Sequence, residues 1–79
     1  MLSQVLRPQV SAARLGMKIS TFYNHISRAI LPPTIKFGPR AVGHPSHEID
    51  AIISARIAGK SESEIKALVV SLTAARQNA

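Results

Sequence analysis

Gly16, the Pro32-Pro33 pair, Gly38-Pro39, Pro45 and Gly59 cut this chain into segments too short for any long helix or broad sheet. Proline removes a backbone donor and fixes φ, and glycine admits the left-handed conformation in which helices end. Each piece between these breakers must bury one apolar face against the others. With 79 residues and no cysteine, a single shared core has to hold them together. The only aromatics are Phe22, Tyr23 and Phe37, so that core is expected to be aliphatic.

Pro8 suits the first position of a helix over 8–15, with Val10, Ala13 and Leu15 as its apolar stripe and Gly16 as its end. After a three-residue connection, Ile19, Phe22, Ile26, Ala29 and Ile30 recur at helical spacing, which predicts a second helix ending before Pro32. "TIKF" and "AVGH" flank "GPR" and predict a two-stranded hairpin. In it Ile35, Phe37 and Val42 are expected to face the core, and Lys36 and Arg40 the solvent. Ser46 is a candidate cap for a third helix carrying Ile49, Ile52, Ile53 and Ile57 and closing at Gly59, with Glu48 and Asp50 at its dipole-favoured start. Ser61 and Glu64 have the spacing of a capping box, followed by Ile65, Leu68, Val69 and Leu72 on a fourth helix. The tail "AARQNA" is expected to fray. The fold class expected is mainly α with a small β-hairpin: about four helices and a two-stranded wing. Residues 1–58 would form the functional domain. Residues 59–79 would supply a helix that packs on it or mediates self-association through Ile65, Leu68, Val69 and Leu72.

Charge is the first functional indication. Ten Lys and Arg against four Asp and Glu give a net +6, and the placement matters more than the sum. Arg7, Arg14, Lys18, Arg28, Lys36 and Arg40 all precede Glu48, the first acid; the cations and acids from Glu48 onward cancel. A polyanion-binding face is therefore expected in the first part of the chain.

Two short helices joined by a glycine turn describe either a helix-turn-helix or an ordinary helical hairpin. The outward face of the second helix carries Ser20, Thr21, Asn24, Ser27 and Arg28, polar and without an acid, where a merely solvated face usually mixes Glu with Lys. Thr21, Asn24 and Arg28 fall in a line, and their side chains suit base edges and phosphates. Tyr23 is expected at the edge of the core face with its hydroxyl at the rim, and His25 as a surface histidine.

"LRPQVSAARLGMKISTFYNHI" and "PPTIKFGPRAVGHPSHEIDAIISARIAGKSESEIKALV" together resemble the AlpA-type regulators of phages and integrated elements, relatives of excisionases with a MerR-type winged helix-turn-helix. "GPRAVG" followed by an acidic helix is the most specific part. The resemblance implies a recognition helix with Lys18, Ser20, Thr21, Tyr23, Asn24 and Arg28 as DNA contacts, and a wing with Lys36, Pro39 and Arg40. It also implies transcriptional control of an integrase gene, or a recombination directionality factor that favours excision. Two positions depart from the family pattern: Lys18 stands where a capping Ser or Thr is common, so that Ser20 could start the helix instead, and His44 stands where an aromatic is common.

Other chemistries fit less well. His44, His47, Glu48 and Asp50 are the only clustered candidates for a metal site, and neither a metal, a cofactor nor a catalytic residue is expected. "GKS" at 59–61 lacks the upstream glycine of a phosphate-binding loop and reads as a helix boundary. No apolar run approaches the roughly 18 residues of a membrane span, and a cytoplasmic, nucleoid-associated protein is expected. The partners expected are double-stranded DNA, a second copy of the chain, and an integrase or RNA polymerase. RNA binding lacks an aromatic platform. A protein-interaction module with only non-specific nucleic-acid binding is the alternative from a different class.

Overall fold

The computed structural model describes residues 4–78. In chain order the elements are β1 (Val5–Leu6), α1 (Pro8–Arg14), α2 (Ile19–Ser27), β2 (Ile35–Gly38), β3 (Ala41–Pro45), α3 (Ser46–Ile57) and α4 (Glu62–Ala75), followed by a 3-10 turn at Arg76–Asn78. Four helices and a small antiparallel sheet match the expected winged helix-turn-helix class. The hairpin, however, gains a third strand. β1 lies beside β3, in the order β1-β3-β2, with Val5 opposite Pro45 and Leu6 opposite His44. The pairing continues past β1, where the Ser46 N–H donates to the Gln4 carbonyl and the Gln4 N–H to the Ser46 hydroxyl. Ser46 is thus the first residue of α3, with Pro45 at the N-cap position, and its hydroxyl ties the N-terminal strand down. Gly43 makes the close approach possible, because a Cβ there would lie 2.4 Å from the Leu6 carbonyl oxygen.

Three helices end in the same way. After α1, the Gly16 N–H reaches the Ala13 carbonyl and the Met17 N–H the Ala12 carbonyl. After α3, Gly59 and Lys60 do the same to Arg56 and Ala55. Both glycines have positive φ, the geometry of a Schellman cap. After α2 the equivalent position is Ala29, at φ 62°, with its N–H on Ile26 and that of Ile30 on His25. The second helix therefore stops at Ser27, short of the expected end. Ala29 is turned outward, while Ile30 and Leu31 drop into the core.

That core joins Ala12 of α1, Phe22 of α2, Ile30 and Leu31 of the following turn, Ile52 and Ala55 of α3, and Ile65 and Val69 of α4. Leu15, Met17, Ile26, Leu68 and Leu72 pack against it. On α1 the inward residues are Ser11 and Ala12, whereas Val10 and Ala13, assigned inward from the sequence, face out. On α2 Ile19 is exposed, and on α3 Ile57 is 82% exposed while Ala55 takes the buried place. Among the described residues, no helix is long and apolar enough to cross a membrane.

The tail does not fray at Arg76. Its Nε donates to Oε2 of Glu48, and its Nη2 to Oε1, both at 2.7 Å, and Nη2 also reaches the Pro33 carbonyl at 2.8 Å. Glu48 is fully buried, so this fork closes the end of α4 over α3 and the Pro32-Pro33 corner.

Candidate nucleic-acid interface

α2 starts at Ile19, with Lys18 in an extended N-cap conformation that makes no side-chain cap bond. This places the helix start at Lys18 rather than Ser20 and leaves the first-turn N–H groups without a capping side chain. Ser20, Thr21, Asn24 and Ser27 are all exposed on the outward face. The Ser27 hydroxyl donates to the Asn24 carbonyl at 2.8 Å, which closes the last turn. The Asn24 amide and the Thr21 hydroxyl have no hydrogen-bond partner among the described residues, so both remain available to a ligand.

Arg28 differs from the expected line. It is the C-cap residue of α2, and its Nη2 donates to Oε1 of Glu62 in the first turn of α4, an ion pair with both partners about half exposed. An exposed pair of this kind is worth only ~0.2–1 kcal/mol, so an anionic ligand can displace the carboxylate at little cost.

In the wing, Gly38 pairs with Ala41 and leaves Pro39 and Arg40 as the two residues of the turn, both exposed beside exposed Lys36. The expected core assignment of this hairpin needs correction. Lys36 lies opposite Val42, and residues directly opposite across an antiparallel pair share a face. Ile35 and Phe37 therefore lie on the other face, and Phe37 is 45% exposed, next to an irregularity in the register between Lys36 and Gly38. Ile35 and Val42 are each half-buried. The wing is anchored instead through His44. This ring is fully buried, donates from Nε2 to the Pro32 carbonyl at 2.6 Å, and packs edge-on against Phe22 at 5.6 Å between centroids. It thereby takes the place of an aromatic. Burial is the main reason its pKa is lowered, outweighing the Pro32 bond and the Glu48 charge, and its buried Nδ1 has no hydrogen-bond partner among the described residues. His25 is half-buried rather than on the surface, and its pKa is lowered by burial first and then by Arg56 and Arg28.

Ion pairing sorts the cations. Arg14 pairs with Asp50, Arg28 with Glu62, Lys60 with Glu64 and Arg76 with Glu48, so all four acids are engaged. Among the described residues Arg7, Lys18, Lys36, Arg40, Arg56 and Lys66 have no acidic partner. Four of these precede α3: one at the start of α1, one at the start of α2, and two on the wing. Which cations are neutralised is not visible in the sequence, because three of the four pairs join residues more than 25 positions apart.

Beside α2 lies an open cleft of about 410 Å³ lined by Arg7, Pro8, Gln9, Ile19 and Tyr23. Tyr23 is 47% exposed, and its ring stands edge-on to Phe22 at 5.4 Å. Of the lining residues, Arg7 counts in the sequence only as one of the six cations ahead of the first acid, and Gln9 carries no signal there at all.

His44 and Glu48 are both committed to packing and pairing in the core, and no group of three or more His, Cys, Asp or Glu among the described residues could hold a metal ion. On α4, Ile65 and Val69 are buried in the domain's own core and Leu68 and Leu72, partly buried, pack against it.

No curated protein and no solved structure matches the chain. The family model described as prophage CP4-57 regulatory protein (AlpA), a family of DNA-binding regulators, matches residues 4–57. That span runs from Gln4, just before β1, to the end of α3, and so takes in the helix pair, the wing and all four unpaired cations of the first part of the chain. The chain belongs to the AlpA family of prophage regulatory proteins.

Proposed function

We propose that the protein reads duplex DNA sequence-specifically, with α2 in the major groove and the wing along the backbone, as a transcriptional regulator of an integrase gene, a recombination directionality factor, or both. The observation that carries this reading is the exposed, acid-free face of Ser20, Thr21 and Asn24, next to cations that keep no acidic partner. Asn24 suits bidentate pairing with adenine, and Thr21 a base or a phosphate. Lys18, Lys36 and Arg40 supply the sequence-independent part of the binding, and Pro39 shapes the wing turn. Arg28 joins them by exchanging Glu62 for a phosphate or a guanine. Acting as an architectural element, the protein would position an integrase or RNA polymerase on the DNA.

Two substitutions separate the roles. Asn24→Ala is expected to cost about 1–3 kcal/mol on the cognate duplex and little on random DNA. Arg40→Ala is expected to weaken both and to flatten the salt slope by about one unit. Full affinity of both variants across a salt series would remove the contact assignment. Footprinting on the element's own DNA distinguishes regulation from excision, because it places the bound site relative to the promoter and the attachment site.

A further inference from the structure

We propose that Arg7, Gln9 and Tyr23 form a clamp for one phosphate of the DNA backbone, at the edge of α2 and apart from both the base-reading line and the wing. This rests on the duplex-DNA reading above and adds residues to it.

The cleft is formed by the start of α1 and one flank of α2. With residues about 100° apart on a helix, Tyr23 and Ile19 lie on the flank next to Ser20 and Ser27, whereas Thr21 and Arg28 lie on the opposite flank. Opening onto the same side as the polar face, the cleft therefore borders it on one edge, and the Arg28–Glu62 pair borders it on the other.

The lining suits a phosphodiester. Arg7 is exposed, sits at the N-cap position of α1 directly after β1, and has no acidic partner among the described residues. Its backbone is fixed on both sides, by the Leu6–His44 pairing before it and by Pro8 after it. The Tyr23 ring is braced by Phe22, and its hydroxyl has no partner among the described residues. A guanidinium, a phenol and the Gln9 amide supply donors to one cleft, and no acid among the described residues lines it. Ile19 and Pro8 supply an apolar floor that fits the C–H surface of a deoxyribose.

The test uses the full chain, a duplex containing the footprinted site and a random duplex of equal length, with anisotropy titrations over a salt series. Arg7→Ala is expected to weaken binding to both duplexes by the same factor, about five- to tenfold, and to flatten the log K against log salt slope by about 0.9. Arg7→Lys is expected to keep the slope and recover part of the affinity. Tyr23→Phe should weaken both duplexes equally with the slope unchanged. A scan of single methylphosphonate substitutions should find one backbone position whose neutralisation weakens the wild type and leaves Arg7→Ala unaffected. If Arg7→Ala keeps the wild-type affinity and slope, or shifts the base preference, the clamp is overturned even where Asn24→Ala confirms specific binding. If the wild type itself fails to prefer any duplex site, the DNA reading falls and the clamp with it. Thermal melting of each variant, expected to match the wild type because Arg7 makes no contact in the core, excludes a folding defect as the cause.

Discussion

Arg76→Ala tests whether the end of α4 is a structural part of the domain. The guanidinium makes two 2.7 Å bonds to the Glu48 carboxylate and a third to the Pro33 carbonyl. Glu48 is fully buried, whereas the Arg76 side chain keeps 20% of its exposure. The two truncations are therefore unequal. Removing Arg76 leaves a carboxylate in the core with no counter-ion, a loss of about 3–5 kcal/mol for a buried pair broken on one side. Removing the carboxylate by Glu48→Met leaves an arginine that can turn to water, and should cost less. Replacing both, as Glu48→Met with Arg76→Met, restores an apolar contact without a stranded charge and should return most of the loss. At about 4–8 °C per kcal/mol for a domain of this size, a 3 kcal/mol loss lowers Tm by about 12–24 °C. Urea unfolding followed by far-UV circular dichroism, together with thermal melts, measures all four corners of the cycle. A loss below ~1 kcal/mol for Arg76→Ala, the worth of an exposed pair, would refute the reasoning. So would a double variant whose cost is the sum of the two singles.

Ala29→Gly should stabilise the fold: a left-handed residue with a Cβ costs about 1–2 kcal/mol, the extra freedom of glycine in the unfolded chain takes back about 0.4–1, and the net gain of about 0.5–1 kcal/mol is readable as a rise in urea midpoint. An unchanged or lower midpoint would show that the Ala29 cap is not strained. Glu62→Gln should change stability by less than ~1 kcal/mol, yet it frees Arg28, so non-specific duplex affinity should rise and the salt slope steepen by up to about 0.9; an unchanged slope would mean that Arg28 does not reach the DNA. The folded pKa of His44 is lowered, so the unfolded chain takes up a proton that the folded ring resists: stability is full above the ordinary histidine value of about 6.5 and falls as pH drops below it. His25 is shifted in the same sense, so His44→Leu should reduce the pH dependence of Tm between neutral and mildly acid pH without abolishing it; an unaltered slope would place the whole effect on His25.

How far the sequence discloses this molecule depends on the range of the interaction. The helix starts and stops follow from local chemistry, and Pro8, Gly16, Gly59 and the Ser61–Glu64 box do in the structure what their types allow. The outward polar face of α2 likewise follows from the period of a single helix. The failures are of three kinds. Ala29 ends α2 in a conformation that its residue type disfavours, so no local signal marks the stop; what holds it there is the burial of Ile30 and Leu31 in the common core. Phe37 misled in the opposite sense: alternation along one strand does not say which residues of the next strand share its faces, and the pairing of Lys36 with Val42, known only from the fold, puts Val42 on the face of Lys36 rather than with Phe37. Long-range electrostatics was the least visible. Six cations precede the first acid, yet two of them, Arg14 and Arg28, are neutralised by Asp50 and Glu62 from beyond the wing. The positive field that the sequence spread over the whole first part is thereby concentrated on Arg7, Lys18, Lys36 and Arg40. On the proposed reading, an uncharged recognition face with charges held at its margins separates two tasks, since base edges would be read by the amide and hydroxyls while the cations would bind any phosphate. In such an arrangement the marginal cations would set affinity, and Asn24 would set which sequence receives it.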